Sequence, residues 1–375
     1  MISCGEASGD LYAGALAAEL RARAPAVDIF GFGGPRLAAA GGDLIGTFAG
    51  LTVTGLTEAL RVLPRSYAMY RRLVAAARER RPDVFVAIDF PDFNLRLIAA
   101  LHRLGIPVVY YVGPQLWAWR PARIETIKRY VEKVLVIFPF EPATYEAAGV
   151  PVEFVGHPLV DLARPTQLRT TFLARHALAG DAPTVALLPG SRPNEIERIA
   201  PVIAAALPLI RARVPRVQFI VARAPNLSDA LFAPLAGLAT AEGQTDDVLA
   251  ASDVVVTASG TATVQATLHE RPMVVVYRLS PLTYRLGKPF LKVTTYAMPN
   301  LIAGRRVVPE LIQDAFTPER VADETVTLLV DPTRYDRVQH DLRGVHQALG
   351  AAGASGRAAD AVLAVARQPS GSTSA

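Results

Sequence analysis

Apolar residues in this chain fall in short unbroken runs, and amphipathic stretches of helical length separate them. The clearest run is Val84 to Ile88, which empties into a polar loop carrying Asp89, Asp92 and Asn94. A run without alternation is the pattern of a strand covered on both faces, as in a parallel sheet. Further strands are predicted at 28–34, 107–112, 134–138 and 152–155, and a very short one at the start. After a polar stretch, 159–183, the rhythm resumes with strands at 184–188, 217–222, 253–257 and 273–277. Helices are expected over 11–23, 95–104 and 142–148 and from Pro193. The alternation predicts an α/β chain of two Rossmann-like domains, with parallel sheets facing across a central cleft. The domains are expected at 1–160 and 161–367, joined by the polar stretch as a linker, with the return of the last helix to the first domain left open. The tail 368–375, QPSGSTSA, reads as disordered.

Composition narrows the classes. The 375 residues include a single cysteine, Cys4, so neither a disulfide framework nor a cysteine metal site is expected. No run of about 18 apolar residues exists to span a membrane, and no signal peptide is visible. The short first strand is either a stub or a sign that the true start lies upstream of Met1. A net charge of +5 is compatible with anionic partners of several kinds. Zinc-finger spacing, RNA-recognition aromatics and a basic helix-turn-helix are missing, so no nucleic-acid partner is expected.

The stretch 51–81 is apolar and arginine-rich together. Arg61, Arg65, Arg71, Arg72, Arg78, Arg80 and Arg81 stand against only Glu58 and Glu79. Pro64 is expected to divide it into two short helices. Such a surface could rest on an anionic bilayer. The residues alone favour an ordinary helix with a solvated basic face.

Candidate chemistry sits at the ends of strands, where ligands of open α/β sheets bind. Asp89 follows the central strand directly and is placed to act as a base. It lies too early to cap the next helix, whereas Asp92 suits a cap as well as a site. The first turn, 5-GEASGD-10, offers small residues and a helix N-terminus to a polar ligand. The loop 113–123 holds Trp117 and Trp119, which either anchor a core or wall a site. In the second half, LPGSR (188–192) opens a helix with Gly190, the Ser191 hydroxyl and the Arg192 guanidinium, a combination suited to phosphate. SGTAT (259–263) is a second such turn. Each alone is matched by a plain helix cap; together they favour a nucleotide diphosphate. GxxxxGK[ST] and GxGxxG are both missing, which argues against a P-loop ATPase and against NAD. No cofactor and no metal are expected, the helix end and Arg192 meeting the charge of the leaving diphosphate.

The set GEASGD (5–10), FVAIDFPDFN (85–94), YVGPQLWAWR (111–120), FPFE (138–141), FVGHPLVD (154–161), LLPGSR (187–192), ASGTAT (258–263), VVVYR (274–278) and MPNLIAGR (298–305) closely resembles the lipid A disaccharide synthase family. The likeness covers nearly the whole chain. It implies an inverting glycosyltransferase of the GT-B fold. The reaction would move 2,3-diacylglucosamine from UDP-2,3-diacylglucosamine to the 6-hydroxyl of 2,3-diacylglucosamine 1-phosphate. It further implies a peripheral protein on the cytoplasmic face of the inner membrane, with 51–81 on an anionic surface and a homodimer left open. By the resemblance Asp89 is the general base and Arg192 binds the diphosphate. Ser191, Ser259, Gly260 and Thr261 add donors, and Arg278 and Asn300 lie in matching donor motifs. Gly5, Glu6, Ser8, Asp10, Asp92, Asn94 and Trp117 shape the acceptor side. Gln265 stands where the family fold often has a ribose-binding Glu, so weaker UDP binding is expected. The rivals are a UDP-GlcNAc 2-epimerase, the GlcNAc transferase of peptidoglycan synthesis, and a non-catalytic UDP-lipid binder.

Overall fold

The computed structural model describes residues 1–49, 56–114, 116, 122–279 and 295–367, with the side chains of 56–62 outside that description. Trp117, Trp119, residues 51–55 and the tail 368–375 lie outside the described residues. Two compact units form: Met1–Pro158 together with the chain from Leu349 onward, and Leu159–Ala348.

The first unit is built on seven parallel strands: β1 (Ile2–Cys4), β2 (Phe30–Gly33), β3 (Asp43–Thr47), β4 (Phe85–Ile88), β5 (Val108–Tyr111), β6 (Lys133–Val136) and β7 (Val152–Phe154). Their order is β3-β2-β1-β4-β5-β6-β7, so the strand running into Asp89 is central. Ser3 pairs with Ala87 and Ala87 with Tyr110 in register. All four residues of β4 are buried, as the unbroken run requires.

The second unit holds β8 (Thr184–Leu188), β9 (Gln218–Arg223), β10 (Ala239–Glu242), β11 (Val254–Ala258), β12 (Met273–Tyr277) and β13 (Glu310–Ile312). They run parallel in the order β10-β9-β8-β11-β12-β13. In both units the strand order reverses beside the first strand, leaving a crevice at the carboxyl ends there.

Three expectations change. The stretch 159–183 is no linker. It carries the helices Leu159–Leu162 and Arg169–Arg175, and Phe172 and Leu173 are buried in the second core. Its polar residues are tied down: the Thr166 and Gln167 backbone N–H groups donate to buried Asp247 at 2.6 and 3.0 Å, and Arg169 donates to Asp253. Second, Pro64 does not break its helix, which runs from Leu56 to Arg80. A proline removes one backbone bond, and the remaining turns are held from the other side, where Leu73 and Ala77 are fully packed. Third, the arginines of that helix are not all unpaired. Arg80 pairs with Asp28 and Asp43 and stacks on Phe30, and Arg72 donates to the Ile45 carbonyl.

The last helix, Ala354–Ala366, packs on the first unit. Arg23 donates to Asp360 at 2.6 Å, and Arg357 donates to the Val155 carbonyl at 2.8 Å. Two left-handed glycines, Gly156 and Gly350, meet at that return: a Cβ at Gly350 would lie 3.1 Å from the Gly156 Cα, so a side chain there would strike the backbone. Among the described residues no helix is long and apolar enough to cross a membrane.

Candidate active site

In the first unit the site begins where β4 ends. Asp89 and Phe90 both adopt left-handed backbone, with φ of 45° and 51°. Two such non-glycine residues in sequence cost roughly 1–3 kcal/mol each and persist only where the surroundings impose them. The imposing groups are visible. The Asp89 carbonyl accepts from Asn94 Nδ2 at 2.8 Å and from the Tyr110 hydroxyl at 2.9 Å. Burial, and then the nearby Asp89 charge, pushes the Tyr110 hydroxyl well above its ordinary pKa, so it remains a donor. Phe90 stacks on Phe93 and Phe32. A Cβ at Gly5 would lie 2.1 Å from the Phe90 ring, which is why the first turn needs glycine there. The Asp89 side chain is left half-buried at the carboxyl end of the central strand.

The other acceptor-side candidates divide. Asn94 is fully buried. Its carbonyl accepts from Ser3 Oγ at 2.7 Å, and its amide also reaches the Ser3 and Ile88 carbonyls. Asp10, 2% exposed, accepts from the N–H groups of Gly34, Arg36 and Leu37 and so caps the helix Pro35–Ala39. Both side chains are buried and bonded within the fold. Asp92 does not cap its helix; Phe90 holds the N-cap position and Asp92 pairs with Arg123. Glu6 holds the N-cap position of the first helix, Ala7–Arg23, and Ser8 lies half-buried in its first turn.

In the second unit, β8 leads through Gly190 into the helix Pro193–Arg213. Gly190 has φ 132°, and a Cβ there would meet Glu195 at 2.8 Å. Glu195 was not anticipated from sequence. Its carboxylate accepts from the Ser191 N–H at 3.3 Å and pairs with Arg192 at 3.2 Å. It orients the arginine and covers part of the electropositive helix start. A Glu three residues beyond the N-cap Arg192 was the available signal.

Beyond β11, Ser259 Oγ donates to the Tyr296 carbonyl at 2.9 Å. Gly260 (φ 147°) faces open space, and Thr261 is exposed at the start of the helix Thr261–Leu268. Gln265 is held by Asp246, its amide donating to both carboxylate oxygens at 3.1 and 3.3 Å. His269 approaches the same carboxylate at 3.0 Å. Arg278 is turned to the 313–316 segment, where it donates to the Phe316 carbonyl and lies over the Phe316 ring. Asn300 is 1% exposed and saturated. Its amide donates to Val308 O and Glu310 Oε1, and its carbonyl accepts from the N–H groups of Val307 and Val308. Ser191 and Arg192 share one turn, and Gly260 and Thr261 open another. Arg278 and Asn300 hold loops.

No cluster of three or more His, Cys, Asp or Glu side chains suited to a metal occurs among the described residues.

Two parallel α/β units with glycine- and hydroxyl-bearing turns at their strand ends are the architecture of GT-B glycosyltransferases. Solved structures agree at the level of fold. The calicheamicin glycosyltransferase CalG4 superposes with TM-score 0.57 at 19% identity, covering 97% of this chain and 96% of that one. The UDP-GlcNAc 2-epimerase from Neisseria meningitidis bound to UDP-GlcNAc gives 0.63 at 11% identity, over 90% and 99%. Sequence decides within that class. The family profile described as lipid-A-disaccharide synthetase matches residues 1–365. The lipid-A-disaccharide synthase of Myxococcus xanthus is 44% identical over 368 residues, 97% of this chain and 96% of that protein. The chain belongs to the lipid-A-disaccharide synthase family, and it is a glycosyltransferase of lipid A biosynthesis with a UDP-sugar donor and a sugar acceptor.

Proposed function

We propose that Asp89 is the general base of an inverting transfer between acylated glucosamines. It takes the proton from the 6-hydroxyl of 2,3-diacylglucosamine 1-phosphate. That oxygen bonds to the anomeric carbon of UDP-2,3-diacylglucosamine while the bond from that carbon to UDP breaks. A β-1,6-linked disaccharide 1-phosphate and UDP result. A positioned base contributes typically 10²–10⁴-fold. The observation that carries this reading is the backbone at Asp89: a strained left-handed residue, its main-chain carbonyl held by Asn94 and Tyr110, that sets its carboxylate at the end of the central strand.

The second unit takes the donor. Ser191 and Arg192 hold the diphosphate, with Ser259, Gly260 and Thr261 at the neighbouring turn and Gln265 toward the ribose. Arg278 and Asn300 act by holding the loops around them. Residues 1–158 carry the acceptor side, with Gly5, Ser8 and Asp92 near it and Trp117 assigned there by the family resemblance alone; Asp10 and Asn94 support its shape. Charge on the leaving diphosphate is met by Arg192 and the helix start, without a metal. The protein works peripherally on the cytoplasmic face of the inner membrane. Support for a membrane contact comes from the helix Leu56–Arg80, where Leu63 and Tyr67 are 48% and 62% exposed beside exposed Arg65 and Arg71.

The test is a product assay in detergent without added metal, read by mass spectrometry, with Asp89→Ala and Asp89→Asn beside the parent. Tetraacyl disaccharide 1-phosphate from the parent and at least about 100-fold less from both variants is expected. Full rate in Asp89→Asn removes Asp89 as the base. Arg192→Ala is expected to weaken UDP binding, and unchanged affinity takes it out of the diphosphate site.

A further inference from the structure

Beside the edge strand β13 the second unit carries a cavity of about 290 Å³. Its walls come from the segment entering β13 and from the helices Pro318–Val330 and Pro332–Ala348. Four arginines line it: Arg306, Arg320, Arg334 and Arg337. Three acids border the same space, and all are engaged. Glu324 pairs with Arg334 at 3.2 Å. Asp341 pairs with Arg305 at 2.7 Å, and that bond holds its carboxyl below the usual carboxylate range. Glu310 turns inward, toward the Ala297 N–H and Asn300. Among the described residues no carboxylate pairs with Arg306, Arg320 or Arg337.

Exposed arginines on a convex surface need no explanation, because water serves them. Here three guanidiniums without a carboxylate at ion-pairing distance share one concave space, where like charges repel and only Arg337 feels a nearby acid, Asp341. Such a site is stabilised by an anion. Guanidinium forks match phosphate oxygens bidentately. We propose that this cavity binds a phosphate group, as a phosphomonoester or diphosphate, clamped by Arg306, Arg320 and Arg337. Its volume is at the lower end for small-molecule sites and suits one or two phosphates with a small body. It is separate from the proposed donor turns. β13 stands two strands from β11 and three from β8, about 10–14 Å at the usual strand spacing.

The ligand's source is either a soluble phosphate compound or a lipid headgroup, and two titrations of the full chain at low salt separate them. One uses pyrophosphate followed by calorimetry. The other uses phosphatidylglycerol vesicles, with phosphatidylcholine vesicles as the neutral control. The variants are Arg306→Gln/Arg337→Gln, the matching double Lys variant, and Arg192→Ala. All four lining arginines are exposed, so the variants should melt with the parent. Removing one charge-assisted bond should weaken binding about tenfold, hence about 100-fold for the double Gln variant, with Arg192→Ala keeping the affinity of this site. The Lys variant should recover part of that affinity. Dependence on Arg306 and Arg337 in the pyrophosphate arm supports a soluble ligand. Dependence in the phosphatidylglycerol arm alone supports a headgroup. Binding in both arms unaffected by the double Gln variant overturns the proposal, as does a Lys variant equal to the parent.

Discussion

Replacing Asn300 with alanine tests whether a polar residue in a donor-side motif touches substrate or holds the fold. In the structure all its bonds run inward, to Val308 O at 3.0 Å, Glu310 Oε1 at 2.7 Å, and the N–H groups of Val307 and Val308 at 2.7 and 2.9 Å. Alanine would leave two buried N–H groups without acceptors. Each costs about 1–3 kcal/mol, so the loss is roughly 2–6 kcal/mol. For a unit of this size 1 kcal/mol moves Tm by about 2–4 °C, which places the expected fall at roughly 5–20 °C. Glu310 keeps the N–H groups of Tyr296 and Ala297, so the loop should remain in place below the transition. The assay pairs thermal melting with UDP calorimetry well below Tm. A large fall in Tm with UDP affinity within about threefold of the parent is expected. An unchanged Tm with tenfold weaker UDP binding would refute the reasoning and return Asn300 to the donor site. Asn300→Asp should lose more stability as pH rises. The new carboxylate faces Glu310, and the pair is tolerated only while it retains a proton.

His157 is buried between Tyr12 and Phe138, and burial lowers its pKa to about 3. The unfolded chain, at the ordinary 6.5, then binds a proton that the folded chain refuses. Stability is full above about pH 6.5 and is lost progressively as pH falls from there toward 3, by about 2 kcal/mol at pH 5. Urea titrations at pH 7.5 and pH 5 should show a smaller acid loss in His157→Phe than in the parent; equal losses would exclude the ring as the cause. Asp10→Ala should cost roughly 2–6 kcal/mol, because the buried Gly34 and Leu37 N–H groups lose their acceptor at the start of the helix Pro35–Ala39, read by chemical denaturation, and an unchanged midpoint would count against the cap. Leu63→Ser/Tyr67→Ser should reduce flotation with anionic vesicles several-fold and leave Tm within a few degrees, since both side chains are exposed. Undiminished flotation would place any membrane contact elsewhere.

The strands that carry the proposed chemistry were legible because each is buried on both faces, and an unbroken apolar run such as Phe85–Ile88 admits little else. The turns at their ends were legible for the same reason, since a ligand site in this architecture must follow a strand. Three of the four edge strands escaped, β7 being the exception. β3 is half-exposed, and β10 mixes polar with apolar residues, so neither shows a run. β13 has only three residues. The polar segment 159–183 imitates a linker because its partners, Asp247 and Asp253, lie about 80 residues further along the chain.

The same separation governs the polar residues. Asn94, Asp10 and Asn300 lie in site motifs, and composition cannot tell a side chain that faces a ligand from one that faces a carbonyl. Tertiary structure decides it by saturating Asn94 against β1 and β4, Asp10 against 34–37, and Asn300 against 307–310. Arg80 shows the converse: in sequence it belongs to a basic stretch, and in space Asp28 and Asp43 neutralise it. Local pattern determines which elements form, because backbone preference and one-dimensional hydrophobic period act over a few residues. Which polar atoms stay available for chemistry is settled only when distant segments meet, because a buried donor or acceptor must find its partner wherever the fold brings one.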